Sequence, residues 1–263
     1  MWNFRDPAAS IEIFRAAQKD ASPDDQKILE TQIARAQGLQ GDFDGARQAL
    51  DAIDRNGASP EVNVRYHLEY GRSICSPAHK PETQTDEAKE RARDQYDTAL
   101  ELGREAGLDY LVIDILHMMT MVDTAPEDQL EWDLAAIEFM EHSEQPDAKR
   151  WAGSLYNNTG YALALLKRHE EAHEILTKSL LFREETGNIV GARIAHYMIA
   201  WNQRLSGDLQ SALATQLRLE QEWDAAGEPD GYTFRELGDI YEALGETEKS
   251  EHYKAKAAAT LGS

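Results

Sequence analysis

The chain has 263 residues, enough for one large domain or two small ones, and its 41% hydrophobic and 29% charged residues are typical of a globular protein. Its formal net charge of −21 is the opposite of the basic surface that nucleic acids and anionic membranes require, so we expect neither as a partner. The single cysteine, Cys75, cannot form an internal disulfide, and no apolar run reaches the roughly 20 residues of a membrane-spanning helix, so we expect a soluble cytoplasmic protein.

The first predicted element is a helix over residues 7–20, which lies ahead of a series of regularly spaced breaks. The breaks contain glycine or proline and fall about 40 residues apart, at Gly57, Gly107, Pro146, Gly187 and Gly227. The first interval is longer because it contains a loop-like insertion, 76–86, with two prolines, several charges and few apolar residues. We expect this insertion to pack little and to be the first segment that proteases cut.

A second break divides each of these units in two. The inner breaks lie at Gly41, Asp123 to Pro126, Lys167, Gly207 and Gly245. Glycine just after a helix accepts the left-handed backbone that ends it, and an acidic residue that follows favours the start of the next helix. Apolar residues between the breaks recur at helical spacing, so each unit is predicted to be a helix, a tight turn and a second helix. The last of these helices, 246–261, closes the C-terminal end.

One segment has a pattern that fits a strand as well as a helix. Residues 62–70 alternate between apolar and polar side chains, which is the period of a half-buried strand. An isolated strand among helices would leave its backbone hydrogen bonds unpaired, and Ser59-Pro60 is a typical helix start. We therefore predict a helix here, about three-quarters helix in the whole chain, and no appreciable sheet.

Two of the units carry the residues of a known repeat. In the best match these are Phe234, Leu237, Gly238, Tyr241 and Gly245, and in the next they are Tyr156, Gly160, Ala172 and Leu176. This pattern resembles the tetratricopeptide repeat (TPR), in the longer-period form found in kinesin light chains and bacterial peptide-pheromone receptors. The resemblance implies an all-α, right-handed superhelical solenoid of about six antiparallel helix hairpins over residues 22–261. Residues 1–21 would form a capping helix, so we expect no DNA-binding domain ahead of the repeats.

One motif suggests a different chemistry. His169-Glu170-Glu171-Ala172-His173 matches the H-E-x-x-H pattern, in which two histidines one helical turn apart bind zinc and the glutamate acts as general base. A third ligand would be needed, and Glu184 and Glu185 lie roughly 17 Å further along the same helix. The motif also fits the register of the repeat without a metal. We therefore predict no metal site and no cofactor.

The resemblance implies a noncatalytic scaffold that binds a peptide or protein segment in a concave groove. An alternative with the same architecture is a receptor for a small or peptide signal that changes the shape of the superhelix. A zinc-dependent hydrolase acting through His169 and His173 is the least favoured alternative. The oligomeric state stays open.

In TPR proteins the first helix of each hairpin lines the concave face, which implies a set of ligand-binding residues here. With one register carried through all six units, the predicted residues are Arg35, Arg65, Arg72, His117, Asn157, Tyr161, Tyr197, Trp201, Arg204 and Arg235. Five arginines beside aromatic rings favour an acidic or carboxylate-bearing ligand. The other interpretation is that these arginines pair with neighbouring glutamates and the aromatic rings pack between repeats.

Overall fold

The structure is a computed structural model that describes residues 2–4 and 6–262. Helices make up 79% of the chain, and none of these residues lies in a strand, which confirms the predicted all-α fold. The chain divides into two compact units, one ending at Arg150 and the other beginning at Trp151. None of the helices described has both the length and the apolar composition that a bilayer crossing requires.

The first unit is built from helix hairpins. Its described elements are α1 (Pro7–Gln18), α2 (Pro23–Leu39), α3 (Phe43–Asp51), α4 (Pro60–Ile74), a 3-10 turn (Pro81–Thr83), α5 (Asp86–Glu105), α6 (Asp109–Val122), α7 (Pro126–His142) and α8 (Pro146–Lys149). Three pairs pack as hairpins, α2 with α3, α4 with α5 and α6 with α7, and α1 packs on α2. This arrangement has the three hairpins and the preceding helix that the break pattern predicts.

The segment with the ambiguous pattern is helix α4. Val62, Val64 and Leu68 are fully buried, because α4 packs against α2 and α3 on one side and against α5 on the other. A helix that is covered from several sides can bury apolar residues at every second position, which explains the strand-like alternation. Gly71 lets α5 approach closely, since a Cβ at this position would lie 2.4 Å from the ring of Tyr96.

The second unit contains three further hairpins. Its described helices are α9 (Ala152–Leu165), α10 (His169–Glu185), α11 (Ile189–Ser206), α12 (Leu209–Ala226), α13 (Gly231–Ala243) and α14 (Thr247–Leu261). Helices α9 and α10, α11 and α12, and α13 and α14 pack in pairs, and α10 also packs on α11. Gly160 is the point of closest approach in the first pair, because a Cβ there would lie 2.4 Å from Leu176.

The turn in the α9–α10 hairpin shows how strongly the fold requires a left-handed residue. The corresponding turns at Gly41, Gly207 and Gly245 have φ values of +82°, +93° and +76°, and Lys167 has φ of +60°. A lysine in this conformation is unfavourable by about 1 kcal/mol relative to glycine. The predicted break at Lys167 is therefore a true turn even without the usual residue.

A buried arginine joins three helices of the second unit. Arg183 in α10 is only 9% exposed, and its guanidinium donates to the carbonyl oxygen of Gly191 in α11 at 2.7 Å and to that of Gly153 in α9 at 3.0 Å. Ser179 donates to the same Gly153 carbonyl at 2.8 Å. Arg183 forms no ion pair with a described residue, so it stabilises these helices through backbone contacts alone.

The insertion between α4 and α5 is anchored at one point. The imidazole of His79 stacks on the ring of Phe43, with 3.5 Å between centroids, and its Nε2 lies 3.2 Å from the carbonyl oxygen of Ser73. The insertion thus packs through a histidine, although its sequence offers few apolar residues. Lys80, Pro81 and Glu82 beyond this anchor are exposed.

The anchored insertion gives a test of local stability. A Glu-specific protease is expected to cut first after the exposed Glu82, and His79→Ala should accelerate this cut about threefold to tenfold. The reason is that an aromatic contact contributes about 0.5–1.5 kcal/mol to holding such a segment closed. Mass spectrometry of timed digests measures the rate. Replacing the exposed His173 with Ala is the control, and an unchanged rate in His79→Ala would contradict the anchor.

Candidate functional site

The first helices of the three hairpins in the first unit are connected by buried ion pairs. Arg72 in α4 pairs with Glu69 of the same helix at 2.6 Å and with Asp114 of α6 at 2.5 Å. Arg35 in α2 adds longer contacts, 4.0 Å to Glu69 and 3.7 Å to Asp114. Two arginines and two carboxylates therefore neutralise one another away from water, where each contact is stronger than at the surface. We call Arg35, Glu69, Arg72 and Asp114 the ion network.

For Asp114 and Arg72 the pKa shifts show that the pairing outweighs the cost of burial, whereas burial and the neighbouring Arg72 lower the pKa of Arg35. Burial alone would raise the pKa of Asp114, but Arg72 and Arg35 lower it overall. Burial likewise opposes the charge of Arg72, but Asp114 and Glu69 raise its pKa. The pKa of the neighbouring His117 is lowered, first by its burial, so this ring is neutral at pH 7 and adds no charge to the ion network.

An aromatic pair near the N-terminus covers the outer side of the ion network. Trp2 and Phe4 stack on each other, and the guanidinium carbon of Arg35 lies 5.5 and 5.7 Å from their ring centroids. The indole nitrogen of Trp2 donates to Gln32 of α2 at 3.0 Å. Arg35 is thus held between two aromatic faces and two carboxylates, and a quarter of its side chain stays exposed.

The second unit presents a different surface on its first helices. Tyr161 of α9 and Trp201 of α11 stack with 5.2 Å between centroids and 19° between planes. Tyr161 is 43% exposed, and Ile194 and Val190, about two and three turns before Trp201 on the same side of α11, are each 43% exposed as well. We call these four residues the aromatic face. Apolar groups that remain this exposed together are typical of a surface that contacts a partner.

Charged residues of α11 and α13 border the aromatic face. Arg204 donates to both carboxylate oxygens of Glu236, at 2.6 and 3.1 Å. Arg235 is exposed, hydrogen-bonds with Tyr197 and lies 5.1 Å from the ring centroid of Tyr232. Burial raises the pKa of Tyr197 to about 12, so its hydroxyl stays protonated at physiological pH.

The structure divides the predicted arginines into two kinds. Arg35 and Arg72 belong to the ion network, Arg65 pairs with Glu61 at 2.8 Å, and Arg204 pairs with Glu236. Arg235 has no carboxylate partner within residues 2–4 and 6–262. Of the predicted uncharged residues, Tyr161 and Trp201 come together, whereas Asn157 is half-buried with an Oδ1 that accepts no hydrogen bond from the described chain.

The acidic partners were absent from the predicted set because it followed a single row of residues on each helix. Glu69 lies three residues before Arg72, Asp114 three residues before His117, and Glu236 lies next to Arg235. Residues three apart are neighbours on a helix surface. The acidic residues three positions before each predicted residue include Glu69 and Asp114, so the sequence contained a signal for these two partners.

The H-E-x-x-H motif is arranged for packing between helices. His169 Nδ1 lies 2.9 Å from Oδ1 of the buried Asn202 in α11, and Asn202 donates to the carbonyl oxygen of His169 at 2.9 Å. His173 is exposed one turn later. Within the described residues, no group of three or more His, Cys, Asp or Glu side chains is placed to hold a metal ion.

No protein-family model and no curated protein matches the sequence. Among solved structures, a STAND signal-transduction ATPase with a tetratricopeptide repeat sensor from Pyrococcus horikoshii matches 95% of this chain, with a TM-score of 0.67 at 13% identity. The chain has a TPR-like helical-repeat fold. It spans 38% of the length of that ATPase. The apo form of the quorum sensor NprR from B. thuringiensis matches over 98% of this chain and 83% of its own, with a TM-score of 0.53 at 13% identity.

The ion network is expected to be essential for the stability of the first unit. Asp114→Asn should lower the free energy of unfolding by about 3–5 kcal/mol, because it leaves the two buried arginines, Arg35 and Arg72, with Glu69 as their one remaining carboxylate in the ion network. The folded-state pKa of Asp114 is lowered, so this stabilisation is present above the unfolded pKa of about 3.9 and is lost as the pH falls through the folded value. Urea denaturation should show a constant difference from wild type between about pH 5 and 7 that shrinks below about pH 4.

The matched control is Asp147→Asn. Asp147 pairs with Arg150 at 3.0 Å, and both side chains are mostly exposed, so its loss should leave the stability unchanged. Equal stability of Asp114→Asn and wild type would show that the ion network does not hold the helices together.

The two histidines of the motif are expected to differ. His169→Ala should lower the free energy of unfolding by about 1 kcal/mol, because the buried Asn202 loses a side-chain partner. His173→Ala should leave it unchanged, since this side chain is exposed. Thermal denaturation measures both. A zinc site would need both histidines, so one zinc per chain in protein purified without a metal-binding tag, lost in either variant, would contradict this interpretation.

Proposed function

We propose that the protein is a noncatalytic scaffold that captures a peptide or protein segment on the aromatic face of its second unit. The observation that carries the proposal is the Tyr161–Trp201 stack, in which Tyr161 is 43% exposed, together with Arg235, which hydrogen-bonds with Tyr197 one turn before Trp201 and forms no ion pair with a described carboxylate. Aromatic and arginine side chains dominate the binding energy of many protein interfaces. The TPR-like fold supports a binding role, since stacked hairpins present their first helices as a continuous surface.

The ion network supports placing the ligand on the second unit. Arg35 and Arg72 already contact two carboxylates each, so an acidic ligand would have to displace a partner that is buried with them. At the aromatic face Arg235 requires no such exchange, because it forms no ion pair with a described residue; it hydrogen-bonds with Tyr197 and lies over the ring of Tyr232. An acidic group can therefore bind there by direct, charge-assisted hydrogen bonds.

These features define the chemistry of the proposed ligand. It has one or more apolar or aromatic side chains to pack on Tyr161, Trp201 and Ile194, and a carboxylate for Arg235. The net charge of −21 favours a protein or peptide partner over nucleic acid or an anionic membrane. The lone cysteine supports a cytoplasmic, reducing environment for this interaction.

A second candidate function is signal reception. The solved structures that match this fold include a protein with a tetratricopeptide repeat sensor and a quorum sensor. In this case binding at the aromatic face would change the packing between neighbouring hairpins. Small-angle scattering with and without a bound peptide separates a receptor, whose dimensions change, from a rigid scaffold.

The test uses peptides selected from a random display library on the purified protein, with affinity measured by fluorescence anisotropy. We expect selected peptides to combine acidic with apolar residues. Trp201→Ala and Arg235→Glu should each weaken binding at least about fivefold, which corresponds to about 1 kcal/mol, and added salt should weaken it further.

The controls are matched changes on α10, the second helix of the hairpin that contains Tyr161. Leu181→Ala removes an exposed apolar side chain of α10, and Lys178→Glu reverses an exposed charge there. Both should bind the selected peptides as the wild type does. Normal binding by Trp201→Ala and Arg235→Glu, together with a loss in either control, would show that the ligand does not use the aromatic face.

A further inference from the structure

A cavity of about 300 Å³ lies in the second unit on another side of α11 from the aromatic face. It is open to solvent and lined by the end of α10, the beginning of α11 and the middle of α12, which contribute Arg183, Arg193, His196, Arg218 and Glu222. At about 100° per residue, His196 is about 140° around the helix from Trp201. The cavity therefore opens on another side of α11, and we call it the α11 pocket.

Three guanidinium groups converge on the α11 pocket. Glu222 lies between two of them, 3.4 Å from Arg193 and 2.6 Å from Arg218. Arg183 forms the third and has backbone carbonyls as its hydrogen-bond partners. Glu184, at the rim, is exposed. Three positive charges against two negative ones make this pocket electropositive, although the chain as a whole carries −21.

Arg193 and Arg218 keep donor capacity for a ligand. The contact of Arg193 with Glu222 uses Nε, and that of Arg218 uses Nη1. A guanidinium has five N–H donors, so the Nη groups of Arg193 and the Nε and Nη2 of Arg218 have no acceptor among the described residues. The guanidinium of Arg193 packs on the ring of Trp223, with 4.7 Å between the guanidinium carbon and the ring centroid.

His196 also faces this pocket without a partner. Its imidazole is half-buried and makes no hydrogen bond to any residue that the structure describes. Burial lowers the pKa of His196, Arg218 lowers it further, and Glu184 and Glu222 oppose these effects. The ring is therefore neutral at pH 7 and can take up a proton when negative charge enters beside it.

We propose that the α11 pocket binds an oxyanion group of side-chain size, held by Arg193, Arg218 and His196. The group can belong to a free small anion or to an acidic side chain of a partner, since both offer the same oxygen acceptors. Ile189 and Ala192 supply an apolar wall for the carbon atoms that carry it. This is a second binding site, independent of the aromatic face.

The geometry gives the site a defined pH dependence. An oxyanion next to His196 favours the imidazolium, so binding raises the pKa of this histidine and is coupled to proton uptake. Affinity should therefore increase as the pH falls from 8 to 6. Sulfate is the probe, because its charge is constant in this range and any pH dependence comes from the protein.

The experiment follows the imidazole signal of His196 by NMR, in sodium sulfate and in sodium chloride of equal ionic strength, with His196→Gln to assign it. We expect a pKa for His196 that is higher in sulfate by about one unit or more, and sulfate affinity at least about threefold greater at pH 6 than at pH 8. Arg218→Gln should lower the affinity for sulfate at least about fivefold. Arg218 is nearly half exposed, so this variant is expected to fold.

Two controls separate this site from other effects. Arg168→Gln removes an exposed arginine that pairs with Glu171 in the same unit, and Trp201→Ala alters the aromatic face. Both should bind sulfate as the wild type does. Loss of sulfate binding in Trp201→Ala would show that the α11 pocket and the aromatic face form one site. An unchanged His196 pKa in sulfate, or normal sulfate binding by Arg218→Gln, would overturn the free-anion form of the proposal.

A second probe, acetyl-tetraglutamate amide, distinguishes the source of the oxyanion. Tighter binding than sulfate, lost in Arg218→Gln, assigns the α11 pocket to an acidic side chain of a partner. Binding of sulfate alone assigns it to a free small anion. If neither probe shifts the pKa of His196, the α11 pocket is not an oxyanion site.

Discussion

The close approach of paired helices is the constraint on which the other features of this chain depend. At Gly71 and at Gly160 a single Cβ would lie 2.4 Å from a side chain of the partner helix. Such a hairpin buries only one side of each helix, so its remaining apolar residues must be covered by the next hairpin. Polar side chains that lie between hairpins then have to find partners inside the protein.

Arginine meets this requirement in a different way in each unit. In the first unit Arg72 pairs with Glu69 of its own helix and connects α4 to α6 through Asp114, so the charges of the ion network neutralise one another inside the protein. In the second unit Arg183 takes backbone carbonyls as partners and uses no carboxylate. The second unit also keeps Arg235, which forms no ion pair with a described residue, and the remaining donors of Arg193 and Arg218, and both proposed binding sites lie there.

Helix hairpins could be predicted from sequence because they are set by local signals. The glycines that end helices, the prolines that begin them and the small residues at close contacts all act within a few residues of their own position. The partners of the arginines could not be predicted in this way. Arg72 and Asp114 are 42 residues apart, and their contact depends on how α4 and α6 lie against each other. The same holds for His79 on Phe43, and for the α11 pocket, which three helices build together.

Arg183 also bears on how the second unit loses its structure. In a simple repeat array each hairpin is one element of a nearest-neighbour chain, and end hairpins can melt while the others persist. Arg183 belongs to α10, yet its two guanidinium bonds end on α9 and on α11, so neither hairpin can open without exposing this buried charge. The smallest cooperative element in this part of the chain is therefore larger than one repeat, and hydrogen exchange in α9, α10 and α11 should report a single opening event.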